Sequence, residues 1–412
     1  MQTDPDTLEQ RAVAELDRLA VGLDSIGIAL SGGGDSTALM HLAARWAQAR
    51  GVRVATATVD HGLREGSMAE ALTAGQAARA LGFSHEVLRW DGGGSGNLMD
   101  RARRARLRLL ADWAGQQRLA GVALGHTRDD QAETLLMRLS RGAGIDGLAA
   151  MAARRRAGGM LWLRPLLGIG RQELRDWLGQ IGAAWADDPT NENEAFDRAR
   201  IRRVMAELQL DPTALALSAG HLSRAREALN AGLLPALDSA RVHLGALHLD
   251  MGLFADLPQE QRRRLILAAV GFVTGRDYPP RRAGTEHSLN ELAAGRRVTL
   301  DGAVLDPAAH LLIHREPGAA ARAALDGEIW DNRWHIKGLQ EGDRVCAMAD
   351  HVREIDWRSA GLTHLEAQAL PAVWRGSRLL SPALQPQDGV VARPVRDIID
   401  LVEYRLGIEP SP

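Results

Sequence analysis

Six residues, Ser31-Gly32-Gly33-Gly34-Asp35-Ser36, have the types and spacing needed to hold a phosphorylated ligand. They follow an apolar, strand-like run at 26–30 and precede a helical pattern at 37–46. Glycines let the backbone approach a ligand closely and take up unusual dihedrals. The free N–H groups of a helix start point at the bound anion. Ser31 and Ser36 add hydroxyl donors, and Asp35 offers oxygen to a magnesium ion. The Gly-Lys-Ser/Thr ending of a Walker loop is missing. A glycine turn closing an ordinary βα unit is the plainer reading, but Ser-Gly-Gly-x-Asp-Ser at a strand–helix junction is much more specific than a turn.

A second group follows the fourth strand-like run, in Gly125-His126-Thr127-Arg128-Asp129-Asp130-Gln131-Ala132-Glu133-Thr134. Asp130 and Glu133 sit three apart at a helix start and so share a face. Helix N-termini stabilise carboxylates, so capping is the plain account. Two carboxylates facing the same cleft as a triphosphate suggest more: they hold either magnesium or an ammonium group. The second strand ends in Val59-Asp60-His61-Gly62-Leu63-Arg64, where backbone groups commonly meet an adenine edge and His61 and Arg64 reach phosphates. The loop from Arg138 through Arg141 and Gly142 to Leu148 is basic and glycine-rich, suited to a polyanion, with Gly142 also reading as a helix C-cap. Asp187-Asp188-Pro189-Thr190-Asn191 reads as a turn into a basic helix carrying Arg198, Arg200, Arg202 and Arg203.

These groups need a scaffold. Up to about residue 190, strand-like runs at 26–30, 52–59, 85–90, 121–125 and 161–165 alternate with helical patterns at 37–49, 68–81, 98–117 and 130–139. That alternation predicts a doubly wound parallel α/β sheet. Ligands bind such sheets at the carboxyl ends of the strands, where all the groups above fall. The loop at 91–96 is glycine-rich and reads as a lid or a plain connector. From about 206 to 275 the texture becomes helical, and after Tyr278-Pro279-Pro280 short strand-like runs alternate with turns. Three segments result: a nucleotide-binding domain at 1–205, a small helical domain at 206–275 and a small α+β domain at 276–412, whose tail at 395–406 looks helical.

The 412 residues carry a net charge of −2 and 45% hydrophobic residues, enough for ordinary cores. A single cysteine, Cys346, excludes an internal disulfide framework, a CxxC pair and a zinc–thiolate cluster. No apolar span is long enough for a bilayer and the start does not read as a signal peptide, so a cytoplasmic protein without a membrane partner is expected. Lys337 is the only lysine, and the arginines that replace it cluster at 101–108, 154–156, 198–203 and 262–264. Arginine binds phosphate bidentately; a compositional bias with solvated helix faces explains any single cluster as well.

The glycine loop resembles the pyrophosphate loop of the PP-loop ATP pyrophosphatase superfamily, which splits ATP between its α and β phosphates. The order Ser-Gly-Gly-Gly-Asp-Ser, Val-Asp-His-Gly-Leu-Arg, Ala102-Arg103-Arg104-Ala105-Arg106, Gly-His-Thr-x-Asp-Asp-Gln-x-Glu-Thr, Arg-Gly-x-Gly and Asp-Pro-Thr-Asn resembles the tRNA(Ile)-lysidine synthases. Ala143, Leu107 and Ala199 depart from that pattern, at single contacts rather than at the reaction. The resemblance implies ATP-dependent attachment of free L-lysine to C2 of the wobble cytidine of a CAU-anticodon tRNA(Ile), through an adenylated base. It implies nucleotide contacts at Leu30, Ser31, Gly32, Gly33, Gly34, Asp35, Ser36, Val59, His61, Arg64, Gly125 and His126. Asp35 and Asp129 are expected at magnesium, Asp130 and Glu133 at the lysine with Arg103 or Arg106 nearby, and Arg141, Gly142, Arg198 and Arg202 at the tRNA. A homodimer is compatible with this reading. The rivals are another PP-loop adenylating enzyme, of which the thiolases need cysteines missing here, and a non-catalytic RNA-binding relative, against which the intact Asp35, Ser36, Asp130 and Glu133 argue.

Overall fold

The computed structural model describes residues 7–62, 66–92, 98–186, 197–276 and 278–406. They form two compact units, 1–226 and 227–412. The first opens with α1 (Leu8–Leu19), β1 (Ser25–Ala29), α2 (Gly34–Arg50), β2 (Arg53–Asp60), α3 (Ser67–Ala80), β3 (Ser84–Arg89) and α4 (Leu98–Gln116). It continues with β4 (Gly121–Leu124), α5 (Arg128–Leu139), α6 (Ile145–Leu148), β5 (Arg154–Ala157), β6 (Met160–Leu163), α7 (Arg171–Gln180), α8 (Asp197–Glu207) and α9 (Pro212–Ala231), which runs past the boundary between the units.

The six strands lie in the order β3-β2-β1-β4-β6-β5. All pairings are parallel except β5–β6, where Arg155 stands opposite Trp162. The expected parallel sheet thus carries an antiparallel edge strand. Its sequence, Arg154-Arg155-Arg156, hides it, because three charged residues lack the apolar alternation that marks a strand.

Apolar residues on both faces of the sheet explain the layering. Ile26 and Ile28 of β1 pack with Leu39, Leu42 and Trp46 of α2 and with Leu174 and Leu178 of α7. Ala29, Ala55 and Ala57 pack instead with Leu110 and Trp113 of α4. The order reverses at β1, whose neighbours β2 and β4 lead opposite ways through the sheet, and this switch point opens a crevice at the strand ends.

In the second unit the expected helical stretch is interrupted. Arg241–His243 and Ala246–Asp250 form a hairpin, with Leu244 and Gly245 at φ 45° and 77° as a tight turn suited to two-residue hairpins. The hairpin joins His310–Arg315, Ala303–Pro307 and Val298–Leu300 in one antiparallel sheet, with Gln259–Thr274 packed in the same core. Residues 206–275 thus include two strands that the sequence did not show, because strands of three and five residues give too short a period-2 signal to stand out among helices. The tail forms one wide turn at Asp400–Arg405. No helix among the described residues is long and apolar enough to cross a membrane.

Candidate active site

The glycine loop lies between β1 and α2. Gly32 takes φ +83°, a conformation that costs glycine little. Gly33 then caps α2 in extended geometry with no side chain, leaving the first N–H groups of the helix open to the crevice. Ser36 ties the loop together: its Oγ donates to Gly33 O at 3.0 Å and accepts from Ser31 N at 3.1 Å. The Ser31 and Ser36 hydroxyls lie 3.0 Å apart. Ala186 N–H donates to Gly32 O at 2.9 Å. Gly125, at the end of β4, presses on this turn. A Cβ there would lie 3.0 Å from Ser36 N and Cα, a tight contact that the loop backbone would have to shift to relieve.

The carboxylates converge across the crevice on one cation that the sequence did not single out. Arg171, the first residue of α7, places Nε 3.2 Å from Asp35 Oδ2 and Nη1 3.1 Å from Glu133 Oε1. Its Nη2 lies 3.4 Å from Asp130 Oδ1, and its backbone N–H donates to Asp129 Oδ2 at 2.7 Å. The chain order supplied a usable signal, since Arg171 follows β6 into the next βα turn at the carboxyl edge of the sheet.

Asp130 divides its two oxygens. Oδ2 accepts from Thr127 N at 2.8 Å in a capping box, the plain role, while Oδ1 faces Arg171 and, at 3.5 Å, Arg198 Nη1. Glu133 is 1% exposed and lies 3.4 Å from Arg202 Nε. Arg198 and Arg202, expected at the tRNA, thus turn toward the carboxylates. Arg141 pairs with Asp197 at 2.6 Å on the surface, and Gly142 takes φ +68° at the end of α5.

Electrostatics separates these groups. Burial, only partly offset by Arg171, raises the Asp35 carboxyl to about 6, with Asp130 and Asp129 pushing the same way. Burial likewise raises Glu133. Burial is also the largest influence on Asp130, but Arg171 and Arg198 outweigh it and leave that carboxyl below its usual range. Burial pushes His126 down to about 3, so it stands neutral. Burial and then Arg106 lower His61, which sits edge-on to Trp90 with ring centroids 5.8 Å apart. Arg106 is half-buried near both histidines, and Arg103 is exposed on the same helix. Asp60 accepts from Gly62 N and Ser67 Oγ, which is turn-holding work. Leu30 O, expected at the nucleotide, accepts from Thr58 Oγ1 at 2.6 Å, and Val59 is the penultimate residue of β2. Arg64, positions 93–96 of the glycine-rich loop and 187–191 lie outside the described residues.

A glycine-loop anion cradle at the switch point of a parallel sheet, faced by carboxylates, defines a PP-loop nucleotide-binding domain, and the family model for the PP-loop domain matches residues 6–208. A tRNA(Ile)-lysidine synthase of Ruegeria pomeroyi is 44% identical over 369 residues, covering 87% of this chain and 88% of that one. Those of a Bradyrhizobium species and of Hyphomonas neptunium are 43% and 36% identical, covering 68% and 74% of this chain and 84% and 86% of theirs. The chain belongs to the tRNA(Ile)-lysidine synthase family, a family of tRNA-modifying enzymes.

Proposed function

We propose that this enzyme joins free L-lysine to C2 of the wobble cytidine in a CAU-anticodon tRNA(Ile), in two steps that share one crevice. The observation that carries this reading is the single guanidinium of Arg171 spanning Asp35 of the glycine loop and the Asp130–Glu133 pair. It puts the phosphate cradle and a cation-binding carboxylate pair within one side chain of each other.

In the first step the C2 oxygen attacks the α phosphate of ATP and pyrophosphate leaves. The N–H groups at the start of α2, with Ser31 and Ser36, hold phosphate oxygens in place. Asp35 and Asp129 fit a magnesium ion. Asp35 Oδ1 is buried with no hydrogen-bond partner, and Asp129 Oδ2 alone is engaged by the α7 backbone. Among the described residues no three histidine, cysteine or carboxylate side chains form a complete metal cage, which suits an ion completed by phosphates and water. When bound, magnesium supplies neutralisation of the charge on the transferring phosphate.

In the second step the lysine ε-amine attacks C2. The C2–N bond forms as the C2–O bond breaks, and the oxygen departs on AMP. The guanidinium of Arg171 lies on Asp130 Oδ1 and Glu133 Oε1, which supports reading the pair as the place where the ammonium groups of lysine bind. Glu133, raised by burial, is suited to accept the proton that the ε-amine must lose. The soluble substrates fit a cytoplasmic site.

The test incubates the full chain with a CAU-anticodon transcript, ATP, magnesium and isotopically labelled lysine, then digests the RNA and weighs the wobble nucleoside. Cytidine plus labelled lysine less one water is expected, with Asp35→Asn releasing no pyrophosphate. Unmodified cytidine, or pyrophosphate release that needs no tRNA, overturns the reading.

A further inference from the structure

A second set of cations, on α5 and around the β5–β6 hairpin, stands without counter-charge among the described residues. Residues 147–153 form a strap along the first unit. Arg138 Nη1 donates to Gly147 O and Arg164 Nη1 to Ala152 O, both at 2.7 Å. Met151 N–H donates to Gln131 Oε1 at 2.7 Å, and Ala150 N–H to Ala219 O at 3.1 Å. The strap leads into β5, where Arg155 is exposed. Both half-buried guanidinium groups are thereby fixed in place by neutral carbonyls. Among the described residues no carboxylate meets Arg138, Arg155 or Arg164.

Such an arrangement is costly unless a ligand completes it. Taking even part of a charge out of water is unfavourable, and a carbonyl returns only part of the loss. Here burial and the neighbouring cations Arg155 and Arg103 all act against the charge on Arg164. Arg138 is opposed by burial and then by Arg103, Arg226 and Arg155. Guanidinium groups gathered with one sign of charge attract an anion and match phosphate geometry. The location is also specific. Arg138 lies five residues beyond Glu133 on α5, about 7.5 Å along the axis and about 140° around it. Arg164 acts electrostatically on His126, which follows β4 toward the carboxylates of α5.

We propose that Arg138, Arg155 and Arg164 form a phosphate pocket that seats the RNA backbone next to the nucleotide being modified. This assignment rests on the RNA substrate proposed above and moves the backbone contact from Arg141, which is paired with Asp197, to the strap. Phosphodiester oxygens fit the fixed guanidinium donors. The triphosphate of ATP has the same chemistry, so the experiment separates the two.

The full chain and its Arg138→Gln/Arg164→Gln variant are titrated separately with a CAU-anticodon tRNA transcript and with ATP over a salt series. The variant should bind the transcript about 10- to 100-fold more weakly, and its log–log salt slope should fall by about 1.4, at about 0.7 per single-strand phosphate contact. Its ATP affinity should stay unchanged. An unchanged salt slope overturns the assignment, and so does a matching loss of ATP affinity, which would give the arginines to the triphosphate. If the wild-type chain does not retain the transcript at all, the RNA substrate itself is wrong and the pocket falls with it. Arg155→Gln, at an exposed position, supplies the same readout without disturbing the strap: a slope reduced by about 0.7 supports the pocket, and an unaltered slope refutes it.

Discussion

Arg171 Nε stands 3.2 Å from Asp35 Oδ2, although the two residues are 136 apart in the chain. Each side chain keeps 23% exposure, so the pair lines the crevice rather than the core. The same guanidinium reaches Glu133, so one cation links the glycine loop to the carboxylates of α5. An arginine fork can hold several carboxylates in fixed directions, which an ammonium group cannot.

Replacing Arg171 should therefore harm both steps. For Arg171→Met, pyrophosphate release and lysidine formation are each expected to fall about 100-fold or more, equivalent to about 2.7 kcal/mol of barrier. Arg171→Lys should recover only part, because one ammonium cannot reach all three carboxylates. Single-turnover assays of each step check this. A variant that loses lysidine formation alone would confine Arg171 to the lysine side.

Glu133 and Asp130 should separate by experiment. Glu133 has no capping duty, so Glu133→Gln should slow the second step more than the first and let adenylated tRNA accumulate. Asp130 also holds the Thr127 cap, so Asp130→Ala should additionally cost about 1 kcal/mol of stability. Quench assays and denaturant melts together read both effects. Proportional loss of pyrophosphate and lysidine in Glu133→Gln would assign that carboxylate to the metal or the fold.

Gly125 supports the phosphate loop by leaving room for it. In Gly125→Ala the new Cβ meets backbone atoms of Ser36 at 3.0 Å and cannot be accommodated by a rotamer change. A stability loss of about 1–3 kcal/mol is expected, with weaker ATP binding. Gly115, inside α4, has open space around its Cβ position. Gly115→Ala should raise stability by about 0.5–1 kcal/mol. Urea midpoints and ATP titrations of the two variants provide the comparison.

The second unit should weaken in acid. His314 is buried, donates from Nδ1 to its neighbour's carbonyl, Arg315 O, at 2.9 Å and leaves Nε2 without a partner. Burial, the largest influence, holds its pKa below the ordinary 6.5, and His248 is lowered for the same reason. The folded form thus binds the proton less readily than the unfolded chain. Its contribution is fully present above pH 6.5 and is lost as the pH falls below that value. Urea midpoints at pH 8 and pH 5.5 should show the drop, smaller in His314→Asn. An equal drop in that variant would place the acid sensitivity elsewhere.

The local chemistry was legible in the chain because it is local. A strand, a glycine turn and a helix start are contiguous, so the phosphate cradle at 31–36 and the Asp130–Glu133 face needed only short-range geometry. The βα alternation likewise puts these groups at the carboxyl edge of a parallel sheet. Strand order is a different matter. Only the tertiary structure set β6 beside β4, which brought Arg171 across to Asp35 and Glu133. Only packing turned Arg198 and Arg202 inward to the carboxylates and left Arg138 and Arg164 on neutral carbonyls. The edge strand β5 and the hairpin at 241–250 were hidden for a related reason. Strands of three to five residues take their stability from partners far along the chain, and those partners have no signature in the local sequence.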